Sequence, residues 1–209
     1  MKLIRLILGL VLLLVPFSTM GATQTHAQGM DVYTVKPGDT LWIIAQKYQV
    51  GLSEIINANK QFRNPALIYP GQKVNVPLLT AVKSVEGEVI RLVNVERSKR
   101  GLKPLVNNWQ LSRCARVKSA DMSTKNYFSH TSPTYGSPFQ MIKAFNIAYS
   151  TAGENIAGGQ PTPQQVMNMW MNSSGHRANI LNPNFTQIGV GYATGGSYRY
   201  YWTQMFIRP

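Results

Sequence analysis

The sequence predicts an α+β protein built as two units, a small one ordered strand, helix, helix, strand and a larger one in which helices surround a sheet. Three observations predict it. The charge changes character near Pro77, from five bases and three acids between Asp31 and Pro77 (+2) to fourteen and five from Leu78 to Pro209 (+9). Within each segment the apolar residues recur first at helical spacing and then in alternation, or the reverse. Hydrophobic residues make up 44% of the chain, with 17 Gly and 12 Pro, which supplies cores and excludes a disordered polypeptide. A length of 209 residues suits one or two domains. The junction falls in a stretch without period of its own, so the units are set at 31–77 and 84–209, joined by a linker over 78–83.

Ahead of both units, Lys2 and Arg5 precede an apolar run from Leu6 to Val15, followed by Pro16 and small residues as far as Ala27. That run is about half the ~20 residues a stable membrane helix needs, so 1–27 reads as a signal peptide and no stable membrane span is expected after its cleavage. Export excludes nucleic acid as a partner, although the net charge is +13. Without Lys2 and Arg5 the charge is 19 minus 8, or +11, which favours anionic wall polymers instead. The single cysteine, Cys114, excludes both an internal disulfide and a zinc site of the paired-cysteine type.

In the first unit, Val32 to Val35 alternates and meets a Pro37–Gly38 turn, after which Asp39 is placed to cap a helix over 40–48. Leu41, Ile44, Ala45 and Tyr48 share its inner face. Gly51 ends it, Ser53 caps a second helix with Ile55, Ile56 and Asn59 inward, and Tyr69-Pro70-Gly71 turns the chain into a strand at 73–76. The segments YTVKPGDTLWIIAQKY, EIINANK and NPALIYPGQKVNVP resemble a LysM domain along its whole length. The resemblance implies binding of N-acetylglucosamine glycans such as peptidoglycan. It places the sugar in a shallow groove between Gly38, Asp39, Thr40 and Leu41 on one side and Asn64, Pro65, Ala66, Leu67, Ile68 and Tyr69 on the other.

In the second unit, Val85, Val89, Leu92 and Val93 mark a first helix with Glu86 and Glu88 in its opening turn, closed by Gly101 and Pro104. Asn108 precedes a second, in which Cys114 falls among apolar positions and reads as a buried, inert thiol. Ser137-Pro138 starts a third and Thr162-Pro163 a fourth. Ile188, Val190 and Tyr192 then alternate, Gly195-Gly196 makes a hairpin, and 197–207 returns as a strand whose run YRYYW reads as core.

Past the signal peptide only two histidines remain, His130 and His176, and Glu154 is the one acidic residue from Asn126 onward. Two imidazoles and a carboxylate suit a divalent metal such as zinc, with an open position. They suit a general acid/base pair equally, or a hydrogen-bonded cluster that only holds loops together. Separations of 24 and 22 residues carry no helical ligand geometry, so the spacing by itself favours the last and requires no cofactor.

YFSHTS, AGENIAGG and WMNSSGHRANILNPNFTQIGVGYA resemble the bacterial branch of the CAP superfamily, which groups cysteine-rich secretory, antigen-5 and pathogenesis-related proteins. The resemblance implies a three-layer α/β/α sandwich and a cleft lined by two His and two Glu. His130, Glu154 and His176 match three of these. Ser173 stands three residues after Trp170, where many relatives carry the second Glu, which weakens both metal binding and a two-carboxylate mechanism. The expectation is an exported protein of the cell wall or spore envelope that binds peptidoglycan through one domain and offers a His/Glu cleft through the other. The alternatives are a hydrolase of wall or secreted-protein substrates, with His130, Glu154 and His176 as its catalytic residues and the two His as metal ligands, and a structural envelope component.

Overall fold

A computed structural model describes residues 29–209. The span read as a signal peptide lies outside these. In the first domain, β1 (Met30–Thr34) pairs antiparallel with β2 (Lys73–Pro77) and two helices, α1 (Leu41–Tyr48) and α2 (Leu52–Ala58), close over one face. Val35, Leu41, Ile44, Val50, Ile55, Val74 and Val76 form its core. Asn59 staples the helical end to the sheet: its amide donates to Ile55 O and Asn75 O and its Oδ1 accepts from Asn75 N. A small core gains from such a fully satisfied buried polar group.

The caps differ in detail from expectation. Thr40, not Asp39, caps α1, its hydroxyl accepting from Ile43 N, while Asp39 accepts from Lys36 N and Tyr33 OH and so fixes the turn before the helix. Gln49 in the left-handed region ends α1, and Gly51 occupies the N-cap of α2, leaving Ser53 inside it.

The second domain begins sooner than the linker assigned to 78–83 suggests. Helix α3 runs Thr80–Ser98, so only Leu78 and Leu79 separate it from β2. There follow β3 (Val106–Asn107), α4 (Trp109–Lys125), α5 (Pro138–Ala144), β4 (Thr151–Gly158), α6 (Pro163–Asn172), α7 (Ser174–Ile180), β5 (Gln187–Gly195) and β6 (Arg199–Arg208). The strands form one sheet in the order β3-β5-β6-β4, antiparallel except for the short β3–β5 pair. Helices cover both faces. Alternation along β6 sends Trp202 and Phe206 into a core with α3, α6 and α7, and Met205 and Ile207 into another with α4 and α5. The result is a three-layer α/β/α sandwich within an α+β chain.

Two glycines explain how α4 lies so close to the sheet. A Cβ on Gly189 or Gly191 of β5 would strike the backbone of Leu111–Ser112 or Ala115–Arg116, atoms that cannot move aside. Ser119 then reaches Gly191 O and Thr203 across the gap. Cys114, on the same face, is buried, and burial pushes its thiol up to about 12. In YRYYW, Tyr201 and Trp202 are core as expected, whereas Tyr198 is exposed.

Candidate functional site

Strand β4 carries Glu154 and lies at the edge of the sheet, beside β6 only. An edge strand is where side chains from the two helical layers can meet. His130 follows α4 in one layer and His176 sits on α7 in the other. His130 Nδ1 and Glu154 Oε1 are 2.7 Å apart, with the Glu154 side chain 2% exposed and that of His130 53% exposed. Burial raises the Glu154 carboxyl above its usual range, opposed by His130 and by the charge of Lys118. Burial likewise lowers His176, and so does the positive charge His130 can carry. Glu154 Oε2 and His176 Nδ1 are buried without a hydrogen-bond partner.

Support for this centre comes from residues that spacing did not single out. Lys118 of α4 is fully buried, and its ammonium donates to Ser129 O and His130 O, with Tyr127 OH alongside. It therefore holds the main chain that presents His130. Asp121, one turn on, accepts from Tyr127 OH, Ser132 and Thr134, pinning both flanks of the same loop. On the other side Asn155 donates to His176 O and Gln204 and accepts from Asn179, which fixes α7 against β4. A lysine and an asparagine at inward positions of a helix and a strand were the signal available in the sequence, since buried polar groups need partners.

The donors do not fit a zinc centre. The Glu154 contact takes only Nδ1 of His130 and leaves Nε2 free for a metal, but Ser173, the junction residue between α6 and α7, supplies no carboxylate, and among the described residues no group of three or more His, Cys, Asp or Glu is arranged to hold a metal ion. A catalytic zinc site takes three protein ligands.

In the first domain, Gly38, Thr40, Asn64, Ala66, Leu67 and Tyr69 are exposed, Asp39 and Pro65 are half-buried, and Ile68 packs on the core. Leu41 is buried as the first inward position of α1, so it supports the groove from beneath. The bases of the two loops are tied by Val35 N donating to Gln72 O and Gly71 N to Val35 O. Trp42 and Ile43, exposed on α1, add apolar surface that the one-face reading of LWII passed over. A cavity of about 550 Å³ lies elsewhere, between α3, α6 and α7, with Arg91, Glu96, Lys99, Arg100 and Arg177 around Leu92, Met167 and Met171. Among the described residues no helix is long and apolar enough to cross a membrane.

A family model for the LysM domain matches residues 33–77, and one for CAP, the cysteine-rich secretory protein family, matches 90–206. The Bacillus subtilis (strain 168) protein YkwD is 61% identical over 128 residues, covering 61% of this chain and 49% of YkwD. The spore coat assembly protein ExsA of Bacillus cereus is 48% identical over 48 residues, 23% of this chain and 8% of ExsA. This chain thus spans about half, or less, of the length of these relatives. The crystal structure of an extracellular SCP-domain protein from Bacillus anthracis str. Ames is similar at a TM-score of 0.56 and 34% identity, covering 67% of this chain and 47% of that one. With over half its length matched by the CAP model and an edge-strand His/Glu centre inside that match, the chain belongs to the cysteine-rich secretory protein family and carries a LysM domain ahead of its CAP domain.

Proposed function

We propose that this is an exported, wall- or spore-associated protein that docks on peptidoglycan through its LysM domain and presents the edge-strand centre of its CAP domain to a ligand. The LysM domain carries this reading, with Leu67 and Tyr69 exposed beside a polar turn at Gly38–Thr40, the mix of apolar contact and free backbone that an N-acetylated sugar needs. The α3–α6 groove, where Arg91, Lys99, Arg100 and Arg177 outnumber Glu96 although the first three are in surface ion pairs with Glu88 and Glu96, adds a weaker attraction to phosphate-bearing wall polymers. Extracellular and spore-coat relatives agree with this location. In a sedimentation assay with purified peptidoglycan, the full chain should pellet and the Leu67→Ser/Tyr69→Ala variant should lose most of that retention. Unchanged pelleting of the variant would remove the docking role.

A second reading rests on Glu154. A carboxyl raised by burial and touching a half-exposed imidazole is suited to general acid catalysis, with His130 relaying the proton and no metal in the step. Release of soluble fragments from labelled peptidoglycan, abolished in Glu154→Gln, would establish a hydrolase; no release by the unaltered chain would dismiss it.

A further inference from the structure

Gly51 is a glycine that its own backbone does not require. It is the N-cap of α2 with φ −80° and ψ 152°, extended values open to any residue, and it offers the helix no side-chain cap. A serine there would cap α2 better. What excludes a side chain is the second domain: a Cβ on Gly51 would land on the Glu54 carboxylate and on the guanidinium of Arg113, which reaches in from α4. Arg113 donates through Nε to Glu54 Oε1 and through Nη2 to Glu54 Oε2 and Ser53 Oγ, at 3.0 to 3.2 Å. On its own domain the guanidinium lies over the ring of Phe145, 5.0 Å from its centroid, and Phe145 packs on the core that α4 and α5 share. A planar cation held on an aromatic face from one side and by a carboxylate from the other is a fixed contact rather than a loose surface pair.

The same end of the first domain is held at two further points. Lys83 of α3 donates to Tyr48 O, 3.0 Å away at the C-terminus of α1, where a cation complements the helix dipole. Leu78 N donates to Gly29 O beside the β1–β2 ladder, and Leu79 packs on the first domain's core while serving as the N-cap of α3. Leu79 does so at φ 52°, in the left-handed region, which a leucine occupies where its surroundings over-determine it. Domains in one chain move relative to each other by default. Here the connection is itself packed structure, and the contacts beside it converge on one short segment, Tyr48 to Glu54.

We propose that the α1–α2 junction of the LysM domain is a docking surface for the CAP domain of the same chain, clamped by Arg113 against Gly51, Ser53 and Glu54, and that the two domains form one rigid body with the glycan groove turned outward. The direction follows from the helix pair. Helix α1 starts at the groove, beside Thr40, and ends at Tyr48 on the CAP domain, about 10 Å away at 1.5 Å per residue. Helix α2 starts on the CAP domain and returns the chain toward Asn64–Tyr69. Docking and glycan contact thus use opposite ends of the helices, and the first leaves the second uncovered. The rigid body stands without the peptidoglycan reading; its use, holding the CAP centre at a set angle to the polymer, rests on that reading.

Residual dipolar couplings of the 15N-labelled full chain, weakly aligned in a neutral polyethylene glycol–hexanol medium, test this. Amides of the LysM and CAP domains should fit a single alignment tensor. Gly51→Ser keeps an allowed backbone and supplies a good helix cap, but its side chain displaces the Arg113 guanidinium, so each domain should then need its own tensor. Arg113→Ala should do the same from the other side without touching the LysM domain, and unchanged amide shifts along α1 and β2 show that this domain is folded in either variant. Two tensors in the unaltered chain, or a single tensor persisting in either variant, would overturn the inference. Gly51→Ser should still pellet with peptidoglycan, because the groove lies at the far end of α1. Loss of the clamp is therefore not mistaken for loss of glycan docking.

Discussion

Glu154 shows how one residue acquires a role from its surroundings. In the sequence it is a lone carboxylate flanked by glycine and asparagine. In the fold it is buried, bonded to His130 through one oxygen and open through the other. Its carboxyl is raised, as is that of buried Glu86, so each contributes stability that is complete below 4.5 and lost as pH rises through its folded value. His176 works in the opposite sense. Its folded value lies below 6.5, so the unfolded chain binds the proton more readily, and its contribution is present above pH 6.5 and lost as pH falls from there toward the folded value. The thermal midpoint of the chain should therefore drop between pH 7 and 5.5 by more than that of His176→Gln. Equal slopes for the two proteins would show that His176 is not the titrating group. Lys118 makes the same point about legibility. Its charge was visible in the sequence, but its burial beneath the His130 loop depends on where α4 meets residues 129–130.

Elements were legible wherever local chemistry defines them. Asn108, Ser137 and Thr162 each cap the helix their residue type announces, Ser137 with the reciprocal Gln140 contact of a capping box. Strand β4 was not legible, because AGENIAGG is rich in glycine, holds a charge and is buried over most of its length, so it lacks the alternation of a half-exposed strand. Helix α7 was hidden by its opening Ser-Gly, and it is held by Asn155 and Asn179 rather than by strong propensity. The glycines of β5 yield a prediction at this scale. Gly191→Ala should lower stability by about 1 to 3 kcal/mol, since the new methyl meets helix backbone. Gly87→Ala, in the exposed interior of α3 with nothing near its Cβ position, should raise it by up to ~1 kcal/mol. Denaturant midpoints at constant m-value would register both, and matching losses at the two positions would refute the close-approach account.

At the scale of the whole molecule, the +13 means something different from what composition suggests. Among the bases on α3 and α4, Arg97 and Lys118 are buried on main-chain carbonyls. Arg116 pairs with buried Glu86, and Arg113 with Glu54 of the first domain. A share of the apparent surface charge is therefore internal structure, and the exposed bases beside the α3–α6 groove, Arg91, Lys99 and Arg100, are in turn paired with Glu88 and Glu96. The Arg113 pair also bears on domain organisation. It joins the first turn of α2 to α4, Arg113 donates to Ser53 as well, and Lys83 donates to Tyr48 O, so two residues of connection and these contacts link the domains. Each such half-exposed contact is worth about 0 to 1 kcal/mol. Glu54→Gln should thus leave the thermal midpoint nearly unchanged while giving the LysM domain a shorter rotational correlation time than the CAP domain in 15N relaxation. Identical tumbling of the two domains in that variant would mean that the short connection suffices.

By itself the sequence determined the α+β class, the two-domain order and the family of each domain, and singled out three polar residues as candidates, because caps, apolar periods and motif strings are local properties of the chain. Only the tertiary structure decided what those residues form. His130, Glu154 and His176 come from a loop, a strand and a helix in three layers, separated by distances along the chain that carry no geometry. His130 and Glu154 meet, and His176 is tied to the same strand through Asn155, because β4 ends the sheet and leaves an edge that both helical layers can reach.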